Sequence, residues 1–178
     1  MRTVYIAVGT NLGDRRANVA FAREAIGALA GVNVMRVSRF YETEPLKGEG
    51  VPTDQGMFLN GVLEVVTDWP LRNLLEALKE IELAAGREAK EDRVRWGARV
   101  LDLDIVLSGN EVLREDDAAG GLIVPHERMY ERWFVLQPLS ELAGELVHPT
   151  LGLSINELLD ILPAEDISFA TVAMGEGY

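Results

Sequence analysis

The sequence predicts an α+β domain, with helices packed on an antiparallel sheet. Three observations carry this. Apolar residues recur at strand spacing in several short stretches and at helical spacing in others. The stretches follow the order strand, helix, two strands, helix, strand, and glycine- or proline-rich turns separate them.

Val4 to Val8 reads as a buried strand, followed by the turn-rich Gly9-Thr10-Asn11-Leu12-Gly13-Asp14. Asp14 is placed to cap a helix carrying Val19, Ala22, Ile26 and Leu29 at helical spacing. Val32 to Glu42 alternates, with some irregularity, as one half-buried strand. Residues 43–56 hold Pro45, Gly48, Gly50, Pro52 and Gly56 and predict a long loop, a kind usually functional or disordered. Phe58 to Val66 is a further strand. Asp68 then opens a helix with Pro70 in its first turn, followed by Leu71, Leu74, Leu75, Leu78, Ile81 and Glu82; Gly86 ends it. Val100 to Leu107 is a strand, and Gly109-Asn110 is a hairpin turn into a short strand, Glu111 to Leu113. Phe134 to Leu142 and Ile155 to Leu162 read as short helices. The simplest assembly is a ferredoxin-like βαββαβ plait. Residues 1–162 form the domain; in the tail, 163–178, Ile167 to Val172 reads either as an edge strand or as disordered.

Composition narrows the function. A chain of 178 residues can bury roughly 70% of its unfolded surface and needs no staples. It has no cysteine, which excludes disulfides, thiolate metal sites and cysteine nucleophiles. No apolar run reaches about 18 residues, and the N-terminus lacks a signal-peptide pattern, so a cytoplasmic protein without a membrane partner is expected. The net charge of −12 argues against a nucleic-acid binder, and nothing points to an obligate protein partner. Against that acidic background, Arg87, Lys90, Arg93, Arg95 and Arg99 put five cations in thirteen residues, where an anionic ligand is expected.

Directly after this basic loop comes Asp102-Leu103-Asp104. Alternate residues of a strand share a face, about 6.6 Å apart along it, so both carboxylates stand together while Leu101, Leu103 and Ile105 face the core. Two like charges so placed are costly unless a cation separates them. Hard oxygen donors of this kind suit Mg²⁺, which binds one or two carboxylates and completes its shell with water and phosphate, or two metals bridged for phosphoryl displacement. Arginine forks bind phosphate oxygens bidentately, and Gly97 lets backbone approach a ligand. These residues alone fit any metal-dependent phosphoryl or nucleotidyl transferase, or a non-catalytic nucleotide-binding domain.

Arg95-Trp96-Gly97-Ala98-Arg99-Val100-Leu101-Asp102-Leu103-Asp104-Ile105-Val106 resembles the signature of the 6-hydroxymethyl-7,8-dihydropterin pyrophosphokinase family. Tyr5 to Gly13, Thr43-Glu44-Pro45-Leu46, Phe58-Leu59-Asn60, Ile81-Glu82 with Gly86-Arg87, Val124-Pro125-His126 and Arg132 to Leu136 resemble its other segments in the same order.

The resemblance implies transfer of pyrophosphate from ATP to the pterin hydroxymethyl group, releasing AMP, in folate biosynthesis, with small-molecule partners only. It implies two Mg²⁺ ions on Asp102 and Asp104, and catalytic roles for both and for Arg95 and Arg99. It sets Arg87, Arg95, Trp96, Arg99, Ile105, His126 and Arg132 on the nucleotide side, with Arg87 as a clamp brought in by loop closure. Glu82 falls near the ribose, although its helix alone reads it as a solvated face. Thr43, Pro45, Leu46, Phe58, Asn60, Trp96, Asp102 and Phe134 fall on the pterin side, between the long substrate loops 43–56 and 87–98. Periodicity alone would place Phe58 and Phe134 in the core.

Overall fold

The computed structural model describes residues 1–45, 48, 50–87, 97–115, 121–163 and 171–174, the last four as backbone. Its centre is β1 (Arg2–Thr10), paired antiparallel with β4 (Phe58–Thr67) on one side and β5 (Asp102–Ser108) on the other. Beyond β4 lie β2 (Val32–Val37) and β3 (Phe40–Thr43), both on the same edge, and β8 (Thr171–Met174) pairs with β3. The sheet order is β5-β1-β4-β3-β8, with β2 also on β4. Part of the tail is thus an edge strand.

The middle strands are apolar on both faces, which forces helices onto both sides. Val4, Ile6 and Val8 of β1 enter one core with Val19, Ala22 and Ile26 of α1 (Arg15–Gly27) and Leu71, Leu74 and Leu78 of α2 (Leu71–Ala84). Tyr5, Val62, Val106 and Leu107 enter a second core with Val135, Leu136 and Leu139 of α3 (Trp133–Ala143) and Ile155 and Leu158 of α4 (Ile155–Asp160). Each fully buried leucine contributes about 1.5–3 kcal/mol of apolar transfer.

Asp14 caps α1, accepting from the N–H groups of Arg16 and Ala17 at 3.1 and 3.0 Å. Asp68 does not cap α2. Pro70, extended at ψ 141°, is the residue before the helix and offers no side-chain cap, while Asp68 pairs with the N-terminal ammonium at 2.5 Å.

The expected single strand from Val32 to Glu42 is broken in two. Ser38 takes a ladder position with its side chain: its hydroxyl accepts from the Val62 N–H at 2.8 Å and donates to the Arg39 carbonyl at 2.8 Å. The backbone can therefore bulge without stranding a buried amide. Phe40 then packs against Gly61, where a Cβ would sit 2.7 Å from its ring.

The turn at Gly109-Asn110 forms, with the Glu111 N–H donating to Ser108 O at 2.9 Å. The strand after it, however, is β6 (Leu113–Glu115), later than expected, and it pairs with β7 (Leu122–Val124) rather than folding back on β5.

Candidate active site

Register builds a site on the face of the sheet that carries Asp102 and Asp104. Gly9 of β1 pairs with Asn60 of β4 and with Asp102 of β5, so the three form one row across three strands. Ala7 pairs with Val62 and Asp104 in the next row along that face. Gly9 leaves the middle of its row open: a Cβ there would lie 3.0 Å from Asn60 Oδ1. The alternation reading of β5 holds, since Leu101, Leu103 and Ile105 are in the opposite core.

A cavity of about 190 Å³ opens over this row. Thr43, Phe58 and Asn60 line one side, and Gly97, Arg99, Asp102, Asp104, His126, Arg132 and Phe134 the other. The Asn60 amide is buried and set in place, its Nδ2 donating to Thr43 Oγ1 at 2.8 Å. A second cavity, about 280 Å³, lies between β5, β7 and the turn after it. Asp104, His126 and Arg132 belong to both. A larger groove, about 760 Å³ between α1 and β2, contains neither strand-β5 carboxylate. Convergent chemistry, not volume, marks the site.

Charge is concentrated and largely paired. Arg99 Nη1 donates to Asp102 Oδ2 at 2.5 Å, and Arg87 Nη1 lies 2.8 Å from Asp102 Oδ1. Burial alone would raise the Asp102 pKa, but Arg99, Arg87 and Lys79 outweigh it and hold the carboxyl below its ordinary range. Asp104 is paired more loosely, with Lys79 Nζ at 3.8 Å.

Glu82 corrects the expectation. It is fully buried, neither on a solvated helix face nor open to a ribose. Its Oε1 accepts from the Leu103 N–H at 2.6 Å and from Lys79 Nζ at 3.0 Å, and meets the Arg87 guanidinium. Burial pushes its pKa up, with Lys79 and Arg87 opposing.

On the far wall, the His126 N–H donates to Val106 O at 2.9 Å, which docks the residue against β5. Its Nδ1 accepts from the Arg128 N–H at 3.1 Å, an arrangement that assigns the imidazole proton to Nε2. Burial pushes the His126 pKa down, partly countered by Asp104. The Arg132 guanidinium sits 5.7 Å from the Phe134 ring centroid, a cation–π contact.

Pro45 is half-buried and does not line the cavity, which Glu44 and Val51 reach instead. Ile105 is buried beneath α2 and meets the second cavity beside Leu75. Leu46, Lys90, Arg93, Arg95 and Trp96 lie outside the described residues.

Residues 5–144 match the family model described as 7,8-dihydro-6-hydroxymethylpterin-pyrophosphokinase (HPPK). The chain belongs to the HPPK family. It is 43% identical over 145 residues to the 2-amino-4-hydroxy-6-hydroxymethyldihydropteridine pyrophosphokinase of Bacillus subtilis, covering 80% of this chain and 78% of that one. With the Pseudomonas aeruginosa protein of the same name it shares 40% over 167 residues, 94% and 96% of the two chains. It is also 38% identical to the folic acid synthesis protein fol1 of Pneumocystis carinii, over 92% of this chain but only 20% of that much longer protein. Among solved structures, the Plasmodium falciparum HPPK-DHPS wild type with SDX-DHP superposes with a TM-score of 0.67 over 90% of this chain and 43% of that one, at 14% identity. That likeness concerns the fold.

Besides Gly9, Glu44 and Val51 of the cavity wall, three polar residues that support this HPPK-family site escaped the sequence reading. Lys79 is one; its spacing of three from Glu82 on α2 was the only signal. Asn11 accepts from the Arg99 N–H at 2.6 Å, and Asn18 Nδ2 donates to Val100 O at 3.0 Å. Together they fasten the start of the acidic strand to the loop after β1. Asn11 stands in a glycine-rich turn and Asn18 on α1, but their partners lie more than 80 residues away.

Proposed function

We propose that this chain transfers the β,γ-pyrophosphoryl group of ATP to the hydroxymethyl oxygen of 6-hydroxymethyl-7,8-dihydropterin, releasing AMP, in folate biosynthesis. One observation carries this reading: two adjoining cavities share Asp104, His126 and Arg132. The first has aromatic walls at Phe58 and Phe134 and an amide edge at Asn60, which suits a flat heterocycle. The second, beyond the shared residues, suits the nucleotide. The group that moves between the substrates then belongs at the shared residues. The names carried by the bacterial relatives support the same activity.

In this reading the pterin lies over the row Asn60, Gly9 and Asp102. The hydroxymethyl oxygen attacks the β-phosphorus in line, and its proton is released. The bond from that phosphorus to the oxygen bridging the α-phosphate breaks, and AMP departs with that oxygen. Such a reaction asks the protein mainly for positioning and charge neutralisation. Arg99 and Arg132 neutralise phosphate oxygens, and the His126 Nε2–H donates to one.

Asp102 and Asp104 fit as holders of Mg²⁺. They offer hard oxygens from one strand face, and among the described residues no group of three or more such ligands forms a closed cage. That is the donor set expected where water and phosphate complete the shell. Bound there, the ions would neutralise phosphate charge and orient the transferred group.

The strand order β5-β1-β4, with β2 and β3 outside β4, supports a ferredoxin-like plait enlarged by α3, α4 and β8. Residues 1–162 then carry the activity, and Thr171–Met174 of the tail add a strand to the sheet. Among the described residues, no helix is long and apolar enough to cross a membrane.

The deciding assay supplies ATP, Mg²⁺ and 6-hydroxymethyl-7,8-dihydropterin and resolves AMP from ADP. AMP formed only with pterin is expected. ADP in its place, or AMP that ignores the pterin, refutes the reading.

A further inference from the structure

Asp102 already has a cation on each oxygen, and the two cations differ. Arg99 belongs to the strand's own approach and is partly exposed. Arg87 is enclosed, its side chain 7% exposed, between Asp102 Oδ1 at 2.8 Å and the fully buried Glu82. Despite these two ion pairs, Arg87 Nε and Nη1 make no well-aligned hydrogen bond, and Glu82 Oε2 has none. A buried guanidinium normally uses its donors. Here Nε and Nη1 are held by charge, without a hydrogen bond that locks them in place.

The frame around it is rigid by contrast. Glu82 Oε1 is tied to the Leu103 N–H, between the two aspartates of β5. The Arg87 N–H donates to Glu82 O at 3.0 Å, immediately after Gly86 at φ 93° closes α2. The guanidinium therefore hangs from a fixed point between two fixed anions. Moving it from Asp102 fully onto Glu82 leaves neither charge buried alone, which is what makes such an exchange accessible.

We propose that Arg87 is a place-holding cation for the Asp102 site: it occupies Oδ1 until a divalent cation arrives, and Glu82 is the positioning residue that keeps it there and receives it when displaced. This rests on the reading of Asp102 and Asp104 as metal-binding, and adds a competition within the protein. Metal entry and release of the Arg87 guanidinium toward phosphate become one event. An Arg87 that merely neutralised Glu82 for stability would predict no such competition.

The experiment is Mn²⁺ binding to the nucleotide-free protein, followed by electron paramagnetic resonance, with a thermal melt of each variant. Arg87→Met removes the competitor and is expected to tighten Mn²⁺ binding at least about fivefold, given the Coulomb energies of close pairs. Since that change strands Glu82, the double variant Glu82→Gln with Arg87→Met keeps an acceptor for the Leu103 N–H and is expected to bind Mn²⁺ more tightly too. Glu82→Gln alone leaves Arg87 only Asp102 to pair with and is expected to weaken binding several-fold, an effect that largely disappears when Arg87 is also replaced. Unchanged or weaker Mn²⁺ binding in folded Arg87→Met and double variants overturns the proposal while leaving the metal reading intact. Asp104→Asn separates the two: if it does not reduce Mn²⁺ binding, the metal reading fails and the proposal with it.

Discussion

Asn60 and Asp102 sit on strands that never touch, yet they are in register, each paired with Gly9 of the strand between them. Adjacent strands are spaced by roughly 4.8 Å, which puts the two backbones about 10 Å apart, with their side chains reaching over an open floor. Gly9 keeps that floor open. With φ in an ordinary strand range, alanine suits the backbone there, but its Cβ would lie 3.0 Å from Asn60 Oδ1. Gly9→Ala is therefore expected to fold normally and to raise the pterin KM roughly tenfold, the cost of about 1.4 kcal/mol of lost positioning. The ATP KM should change little. Steady-state kinetics with each substrate varied separately checks this; equal effects on both would remove Gly9 from the pterin floor.

Asp102 and Asp104 should be equally needed for turnover but unequal in stability. Removing an electrostatic partner of a phosphoryl transfer costs roughly 10²–10³ in kcat by analogy with single preorganised groups, and both asparagine variants are expected to lose at least that much. Asp102→Asn also takes away the anion that Arg87 and Arg99 share, leaving Arg87 only Glu82 and Arg99 without its carboxylate, whereas Asp104 meets only a part-exposed Lys79 at 3.8 Å. Removing an anion shared by two cations costs more than removing one loosely held partner, so Asp102→Asn should melt well below Asp104→Asn. Chemical denaturation of the two, beside wild-type protein, is the measurement.

What was legible in the sequence follows from what periodicity encodes. Period-two spacing placed Leu101, Leu103 and Ile105 inward and both aspartates outward, and a lone Asp14 before a helical pattern marked its cap correctly. The break at Ser38 was not legible, because a hydroxyl standing in for a ladder group leaves no trace in apolar spacing. Glu82 was half legible. It lies four residues after Leu78 on the same buried stripe of α2, and only the habit of placing glutamates outside hid it. Its burial needs Arg87 and Lys79 as neighbours, and the meeting with β5 is tertiary. The fastening of Arg99 by Asn11 spans 88 residues, beyond any local pattern.

The Phe40–Gly61 contact tests the split edge strand apart from catalysis. A methyl group at position 61 would meet the Phe40 ring at 2.7 Å, and both residues are buried. Overpacking of this kind typically costs about 1–3 kcal/mol. Gly61→Ala is therefore expected to lower the melting temperature while leaving pterin and ATP KM values near normal in the folded fraction. A variant as stable as wild type would mean that the ring moves aside freely.

Both histidines in the chain, His126 and His148, are held below their ordinary pKa by burial. The sign follows from proton counting. Below about pH 6.5, the ordinary value of a free histidine, the unfolded chain binds protons that the folded chain refuses, so stability falls as pH falls. Each fully titrating histidine can remove up to about 1.4 kcal/mol per pH unit, until the folded form also protonates. His148 isolates the effect, since it sits outside the site, in a turn where its Nδ1 lies 3.4 and 3.3 Å from the N–H groups of Thr150 and Leu151. His148→Asn should cost stability at pH 7.5 yet flatten the decline between pH 7 and pH 5. Urea midpoints at several pH values measure both slopes, and parallel curves for wild type and variant would show that His148 does not contribute to the acid sensitivity.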